Sequence, residues 1–208
     1  MQKRCVCIFC KRIIDLLVAL MLLVILSPVM IVAALAIKLS SPGEIIFKQQ
    51  RLGLHGKVFY MYKFRSMVSN AENIGSGMFL EKDDPRITGV GKFLRKTSID
   101  ELPQLLNVLR GEMSLVGPRP APLYHLGMYD ERQLRRLEVK PGMTGWAQIN
   151  GRVALYWPER IELDVWYVEH MGLWLDLKIL LLTLPAVIGG SGVVPQEDRR
   201  RVDPFVNT

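Results

Sequence analysis

The chain has 208 residues, a formal net charge of +7 and a pI of about 9.5. Its Lys and Arg residues are spread along the sequence and no nucleic-acid-binding motif is present, so the charge favours anionic lipid headgroups or phosphate-bearing ligands over nucleic acid. The cysteines, Cys5, Cys7 and Cys10, lie together at the start, and their odd number argues against a disulfide framework and for free thiols, with palmitoylation as the alternative.

An apolar run extends over residues 16–37 and carries Ser27-Pro28 near its middle. A helix needs roughly 20 apolar residues to cross a bilayer, so the run is long enough, but Pro28 removes an N–H donor and clashes with the carbonyl of Val24. A bend is therefore predicted, with the Ser27 hydroxyl available to bind the freed carbonyl. Basic residues flank the run on both sides: Lys3, Arg4, Lys11 and Arg12 before it, and Lys38, Lys48, Arg51 and Lys57 after it.

Because Lys and Arg mark the cytoplasmic side of a membrane segment, these flanks predict a re-entrant helix-break-helix that enters and leaves through one leaflet. A kinked single span is the alternative. A cleaved signal peptide is disfavoured, because the run exceeds an h-region of about 7–15 residues and no small-residue cleavage site follows. The chain is accordingly divided into a membrane-anchoring helix at 1–39, a cytoplasmic domain at 40–194 and a flexible tail at 195–208.

Residues 44–49 and 57–67 are rich in aromatic and β-branched residues around a Gly-Leu-His-Gly turn, which predicts a small β-hairpin. Lys63 and Arg65 alternate with Phe64 on the second strand and so share one face. They are either solvated basic residues or phosphate contacts. Residues 68–86 lack periodicity and are predicted to form a loop.

Leucines at helical spacing after Asp100-Glu101 predict a helix that ends at Gly111. Pro103 fits only the first turn, so this helix should begin near Asp100 and place both carboxylates at its positive end. Ser98 and Glu101 also match a capping box, which would make the acidic pair structural. Cationic neighbours favour chemistry instead, because Arg95 precedes the pair and Arg119 follows between two prolines. Carboxylates beside preset cations suit a metal-assisted attack on a phosphoryl centre.

Residues 141–152 contain Gly142, Gly145 and Gly151, which are predicted to bracket a loop. Its polar side chains could contact a nucleotide or sugar, although a plain structural turn is the alternative; they are Gln148, Asn150 and Arg152. The apolar segment 175–188 is interrupted by polar residues and proline, so it is predicted to lie on the membrane surface as an amphipathic helix or to pack in the core. Aromatic residues typical of membrane interfaces precede or begin it: Trp157, Trp166, Tyr167 and Trp174. The three histidines, His55, His125 and His170, are too scattered to suggest a zinc site.

Five landmarks in this order resemble the bacterial sugar transferases that are small monotopic polyprenyl-phosphate phosphoglycosyl transferases. The resemblance extends from about Lys11 to Val193. It implies an α+β, mainly helical, monotopic membrane enzyme with a re-entrant anchor, a small hairpin and surface-lying amphipathic helices. The landmarks are Ser27-Pro28, the segment 63–67 (Lys-Phe-Arg-Ser-Met), the segment 100–104 (Asp-Glu-Leu-Pro-Gln), the segment 117–120 (Gly-Pro-Arg-Pro) and the segment 141–152.

The resemblance implies that a phosphosugar moves from a UDP-sugar to a polyprenyl phosphate such as undecaprenyl phosphate, releasing UMP at the cytoplasmic face of the bacterial inner membrane. Asp100 would be the nucleophile that forms a covalent intermediate, and Glu101 would help to hold Mg²⁺ or take a proton. Lys63, Arg65, Arg95 and Arg119, with the polar residues of 148–152, are the expected substrate contacts. The rival readings are a membrane-attached nucleotide-sugar hydrolase and a non-catalytic adaptor that binds anionic lipids. The sequence reveals neither the sugar nor the oligomeric state.

Overall fold

A computed structural model describes residues 2–71, 84–150 and 157–188. The protein is mainly helical with two small sheets. Its helices in the described residues are α1 (Gln2–Ser40), α2 (Gly89–Lys96), α3 (Gln104–Arg110), α4 (Glu131–Leu134), α5 (Trp146–Ile149), α6 (Trp157–His170) and α7 (Leu173–Ile188). Its strands in those residues are β1 (Ile46–Leu52), β2 (Val58–Phe64), β3 (Ser114–Val116) and β4 (Gly142–Thr144). Short 3₁₀ turns occupy Leu54–Gly56, Ile99–Glu101, Leu123–His125 and Arg135–Leu137.

Helix α1 contains the whole apolar run. Its backbone stays helical through Ser27 and Pro28, so the expected interruption does not divide it into two helices. The Ser27 hydroxyl donates a 2.8 Å hydrogen bond to the carbonyl of Val24, as predicted for the acceptor that Pro28 frees. Residues Ile8–Ser40 are long and apolar enough to cross a membrane, and little of this stretch is buried against the rest of the protein.

The predicted hairpin is confirmed, with strands shifted by a few residues. Strands β1 and β2 pair antiparallel from Ile46 opposite Phe64 to Leu52 opposite Val58. The free edge of β2 is covered by the buried side chain of Asn107 from α3, which accepts from the Tyr62 N–H at 3.0 Å and donates to the Tyr60 carbonyl at 2.7 Å. This amide takes the place of a third strand and fixes α3 beside the hairpin.

The second sheet was not predicted. Strands β3 and β4 are three residues each and pair in parallel, too short to give an alternating pattern in the sequence. Their close approach explains Gly142, because a Cβ there would lie 2.1 Å from the backbone nitrogen of Gly117. Gly142 is therefore part of a strand, and the prediction that it begins a loop is wrong.

The main core brings α1 into contact with the rest of the fold. Ala19 of α1 packs with buried residues of β2, α3, β3, α6 and α7, among them Met61, Leu105, Tyr167 and Ile179. A second cluster buries Ala33 and Ile37 of α1 against Phe64 and Leu94. Both halves of α1 are thus attached to the same domain.

Helix α7 has an inverted polarity. Asp176 is buried, where it accepts hydrogen bonds from the Tyr167 hydroxyl and from Lys11, each at 2.6 Å. The exposed side carries Lys178 and is otherwise mainly apolar, with Leu173, Trp174, Leu177, Leu181 and Leu184. An apolar exposed face of this kind marks contact with a membrane or a partner, in line with the predicted surface-lying helix. Tyr167, in contrast, belongs to the core, and the predicted tail at 195–208 lies outside the described residues.

Candidate active site

Asp100 and Glu101 lie in a 3₁₀ turn that precedes α3. The predicted helix start near Asp100 is wrong, because α3 begins at Gln104 with Pro103 as its N-cap. The capping box is wrong as well: Ser98 adopts a left-handed conformation with φ of 57° and its side chain makes no capping hydrogen bond. The acidic pair therefore does not serve to cap this helix.

Five of the predicted side chains converge around this turn: two belong to the turn itself and three come from other elements of the fold. Lys63 comes from β2, Arg95 from the last turn of α2, and Arg119 from the segment after β3. Asp100 and Glu101 complete the group. The site therefore holds three cations and two carboxylates, a balance that suits an anionic phosphate ligand.

Glu101 is held by two of the cations. Its Oε1 accepts hydrogen bonds from Lys63 Nζ at 2.8 Å and from Arg119 Nη2 at 2.9 Å. Burial opposes its ionisation, but Arg119 and Lys63 outweigh burial and hold the pKa of Glu101 well below its ordinary value. Glu101 is thus a permanent anion that fixes two positive groups.

Asp100 is placed differently from its neighbour. Its side chain is buried, at 7% exposure, yet within the described part of the chain no hydrogen bond or ion pair reaches its carboxylate. Burial raises the pKa of Asp100, and Lys63, Arg95 and Arg119 partly offset this effect. An unpaired carboxylate with a raised pKa is a better nucleophile than one held in ion pairs.

Two arginines border the acidic turn. Burial lowers the pKa of Arg95, whose charge interacts with Asp100, and its guanidinium reaches the Ser66 hydroxyl at 3.5 Å. The Arg119 side chain is half exposed and can turn towards a ligand. Its backbone is held firmly, since the Pro118 carbonyl accepts from the Gly142 N–H and the Ala121 carbonyl from the Leu52 N–H, each at 2.9 Å.

Other predicted contacts lie elsewhere. Arg65 is buried at the end of α1, where its guanidinium donates to the carbonyls of Ser41 at 2.8 Å and Pro42 at 2.9 Å. Arg65 does not share the environment of Lys63, because its guanidinium binds the carbonyls of the turn that follows α1. Gln148 and Asn150 bind backbone carbonyls of their own segment. Arg152 lies outside the described residues.

The carboxylates of Asp100 and Glu101 are available at this site to bind a magnesium ion. Among the described residues, no group of three or more His, Cys, Asp or Glu side chains is placed to hold a metal. The donor set still fits Mg²⁺, which is often held by one or two carboxylates together with substrate phosphates and waters. Asp100 and the second oxygen of Glu101 would be its protein ligands, and the surrounding cations favour its arrival with a phosphate ligand.

Sequence reasoning missed one ion pair beside the site. Arg136 Nη2 lies 2.6 Å from Asp164 Oδ2, and both side chains are almost fully buried. The two residues are 28 positions apart and neither lies in a recognisable motif. The available signal was the position of Asp164 on the face of α6 that carries Ile161, Val165 and Val168, because a charge on a buried face requires a partner.

The chain matches known proteins over most of its length. A family model described as bacterial sugar transferase matches residues 6–190. An uncharacterized sugar transferase of Bacillus subtilis (strain 168), EpsL, is 51% identical over 183 residues, which are 88% of this chain and 89% of that protein.

Larger relatives match over a similar part of this chain. The UDP-glucose:undecaprenyl-phosphate glucose-1-phosphate transferase of Escherichia coli (strain K12) is 46% identical over 84% of this chain and 39% of its own length. The undecaprenyl-phosphate galactose phosphotransferase of Salmonella typhimurium is 43% identical over 88% of this chain and 41% of its own length. The chain therefore spans most of the B. subtilis relative and about two fifths of the other two.

Proposed function

The chain belongs to the bacterial sugar transferase family, and we propose that it transfers a sugar 1-phosphate from a UDP-sugar to a polyprenyl phosphate such as undecaprenyl phosphate. The products are a polyprenyl-diphosphate sugar and UMP. The relatives support this acceptor, because those of E. coli and S. typhimurium are undecaprenyl-phosphate sugar phosphotransferases. Their sugars differ, so the sugar transferred by this chain is left to experiment.

One observation carries the proposal: adjacent carboxylates in the same turn have opposite environments. Glu101 is paired with Lys63 and Arg119, whereas Asp100, a residue at 7% exposure, has no hydrogen-bond or ion-pair partner among the described residues. This division supports Asp100 as the nucleophile and Glu101 as the residue that fixes the cations. Two acidic residues whose environments push their pKa values apart are typical of groups with different catalytic roles.

In the first step, an Asp100 carboxylate oxygen attacks the phosphorus that carries the sugar. A bond forms between that oxygen and phosphorus, and the bond to the UMP oxygen breaks, so UMP leaves with the electron pair. Lys63, Arg95 and Arg119 stabilise the negative charge that develops on the phosphoryl oxygens. A bound Mg²⁺ supplies further neutralisation of the diphosphate.

In the second step, an oxygen of the polyprenyl phosphate attacks the same phosphorus and Asp100 is released as a carboxylate. Splitting the transfer in two lets a water-soluble donor and a lipid acceptor use one set of cations in turn. The phosphosugar stays intact in both steps, because in each step one phosphorus–oxygen bond forms and one breaks. If water replaced the acceptor, the protein would be a hydrolase.

The test is to trap the intermediate. Incubation with the matching UDP-sugar and Mg²⁺, without acceptor, should add the mass of a phosphosugar to a peptide containing Asp100 and release UMP in the amount of enzyme present. Adding polyprenyl phosphate should discharge the adduct into lipid product. Continuous UMP release without acceptor would identify a hydrolase, and full transfer by Asp100→Asn would refute the covalent mechanism.

We also propose that α1 is re-entrant and does not cross the bilayer. Its first half is fixed to the domain by Lys11, Arg12 and Asp15, which bind Asp176, the Val108 carbonyl and the Leu115 N–H. Its end is fixed to the same domain by Arg65 at Ser41. A segment that crossed a core of about 30 Å would put these ends on opposite sides of the membrane, where one domain could not hold both.

Between these attachments, α1 presents apolar side chains to the surroundings, with Val24 and Ile25 more than 60% exposed. This stretch around Ser27-Pro28 would enter the hydrocarbon of the cytoplasmic leaflet of the bacterial inner membrane, and the leucines of α7 would lie at its surface. Single cysteines at residues 11 and 38, in a background without Cys5, Cys7 and Cys10, should both react with a membrane-impermeant reagent from the cytoplasmic side. Labelling from opposite sides would refute this topology.

A further inference from the structure

A buried ion pair between Arg136 and Asp164 lies beside the backbone of Arg119. Arg136 is on the 3₁₀ turn after α4 and Asp164 is on α6, and the two side chains are 4% and 3% exposed. Arg136 also donates to the hydroxyl of Tyr129, which lies 3.1 Å from His125 Nδ1. Trp157 and Tyr129 pack their rings beside the guanidinium.

The Arg136–Asp164 pair contacts the candidate site through the backbone of Arg119. Arg136 Nη2 donates a 3.0 Å hydrogen bond to the carbonyl oxygen of Arg119, while it also pairs with Asp164. The neighbouring carbonyls of Pro118 and Ala121 are bound by backbone N–H groups of Gly142 and Leu52. The peptide that carries the Arg119 side chain is therefore held by a charged side chain, and Asp164 fixes the orientation of that side chain.

Stability alone does not explain such a pair. Removing two charges from water often costs as much as their attraction returns, and apolar replacements of a buried pair are often as stable. Burial raises the pKa of Asp164 to about 6, and Arg136, Arg160 and Arg119 act against this rise. A buried pair of this kind is more useful for geometric specificity than for stability, and the geometry that it fixes here is that of Arg119.

We propose that Arg136 and Asp164 are positioning residues that hold the Arg119 backbone so that its guanidinium is directed to Glu101 and to a substrate phosphate. This inference rests on the proposed phosphosugar transfer. A fixed peptide sets the direction in which the half-exposed Arg119 side chain leaves the backbone towards Glu101. Fixing its peptide reduces the ordering required when a phosphate binds.

Two variants test the pair. Arg136→Lys keeps the charge but has no planar fork to bind Asp164 and the Arg119 carbonyl together. The double variant Arg136→Met with Asp164→Leu removes both charges, which generally preserves folding, and leaves the Arg119 carbonyl without its donor. The matched control is Arg132→Gln, because Arg132 and Glu162 form an ion pair at 2.8 Å between α4 and α6 but are about half exposed.

We expect kcat/KM for UMP release to fall about 10- to 100-fold in both variants and by less than 2-fold in the control. The decisive comparison repeats the variants in an Arg119→Ala background, using single-turnover rates. If the pair acts through the Arg119 side chain, its loss should change the rate less than 2-fold once that side chain is gone. An equal fold-loss in both backgrounds would overturn the proposal, because a general structural defect multiplies with the Arg119 defect.

A second readout does not depend on activity. Hydrogen exchange of the Gly142 and Leu52 amides, which bind the carbonyls on either side of Arg119, should accelerate at least 10-fold in the folded variants and stay unchanged in the control. Unchanged exchange would overturn the positioning role. If the wild-type chain transfers no phosphosugar from any UDP-sugar, the proposed function fails, while the exchange result still decides whether the pair holds this segment.

Discussion

Neutralising Asp100 and neutralising Glu101 should have opposite effects on stability. Asp100→Asn removes a charge that has no hydrogen-bond or ion-pair partner among the described residues, at a residue that is 7% exposed, and Glu101→Gln removes the charge that binds Lys63 and Arg119. Because burial raises the pKa of Asp100 above its unfolded value, folding disfavours its ionised form at pH 7. The thermal midpoint of Asp100→Asn should therefore equal or exceed that of the wild type.

The loss in Glu101→Gln can be estimated from its contacts. We count only the hydrogen bond from Lys63, whose side chain is 18% exposed, because Arg119 is half exposed and its pairing is screened by solvent. A hydrogen bond to a charged group contributes about 1.5–3 kcal/mol. At about 2–4 °C per kcal/mol for a chain of this size, the midpoint should fall by roughly 3–12 °C.

Both variants are compared by thermal unfolding in the same detergent and by UMP release with the matching UDP-sugar. Asp100→Asn should lose roughly 10⁴-fold or more of the activity, as expected for removal of a nucleophile, without losing stability. A fall in the Asp100→Asn midpoint as large as that of Glu101→Gln would show that Asp100 is paired in the folded protein. That result would refute the division of roles between the two carboxylates.

Three further outcomes follow from the same geometry. The pH profile of kcat/KM should show activity declining as pH falls through a midpoint above the ordinary Asp pKa of 3.8, because burial raises the pKa of Asp100 and only the carboxylate can attack. A rate that is independent of pH down to pH 4 would contradict this role of Asp100. Arg119→Lys should lower kcat/KM about 10-fold or more at unchanged thermal midpoint, since lysine cannot make paired hydrogen bonds to a phosphate, and unchanged kinetics would leave Arg119 a general electrostatic role. Arg65→Lys should lower the midpoint by about 3 °C or more without changing KM for the UDP-sugar, because Arg65 binds the carbonyls of Ser41 and Pro42 just after α1; a raised KM would restore Arg65 to the site.

The sequence predicted the elements that leave a local signal. The hairpin was readable from aromatic and β-branched runs around a glycine turn, and α3 from its spaced leucines and from Gly111, which adopts the left-handed conformation of a C-cap. The start of α3 was misjudged because Pro103 is compatible with both the first turn and the N-cap position. The parallel pair β3–β4 was missed because three-residue strands leave no alternation to read.

The sequence predicted the side chains that form the candidate site, but it did not predict the contacts that these side chains make. The acidic pair with Arg95 and Arg119 is predicted from residue types suited to phosphate chemistry, Lys63 belongs to a landmark of the family resemblance, and the fold brings the five side chains together. Arg65 was grouped with Lys63 by strand alternation, but alternation gives only a face and not the partner found there. The Arg136–Asp164 pair depends on contacts between distant segments, which one sequence without homologues does not reveal.

The predicted division of the chain near residue 40 does not coincide with a change of packing, because α1 is part of the same packed domain. The elements that carry the site, β2, α2, α3 and β3, each contact α1. Ala19 and Ile37 of α1 are buried in the core of the same domain that holds Asp100. A displacement of the membrane helix would therefore reach the acidic turn through elements packed against both. If α1 is the re-entrant anchor proposed above, such a fold would keep Asp100 at a fixed depth relative to the lipid surface, where a polyprenyl phosphate would present its headgroup.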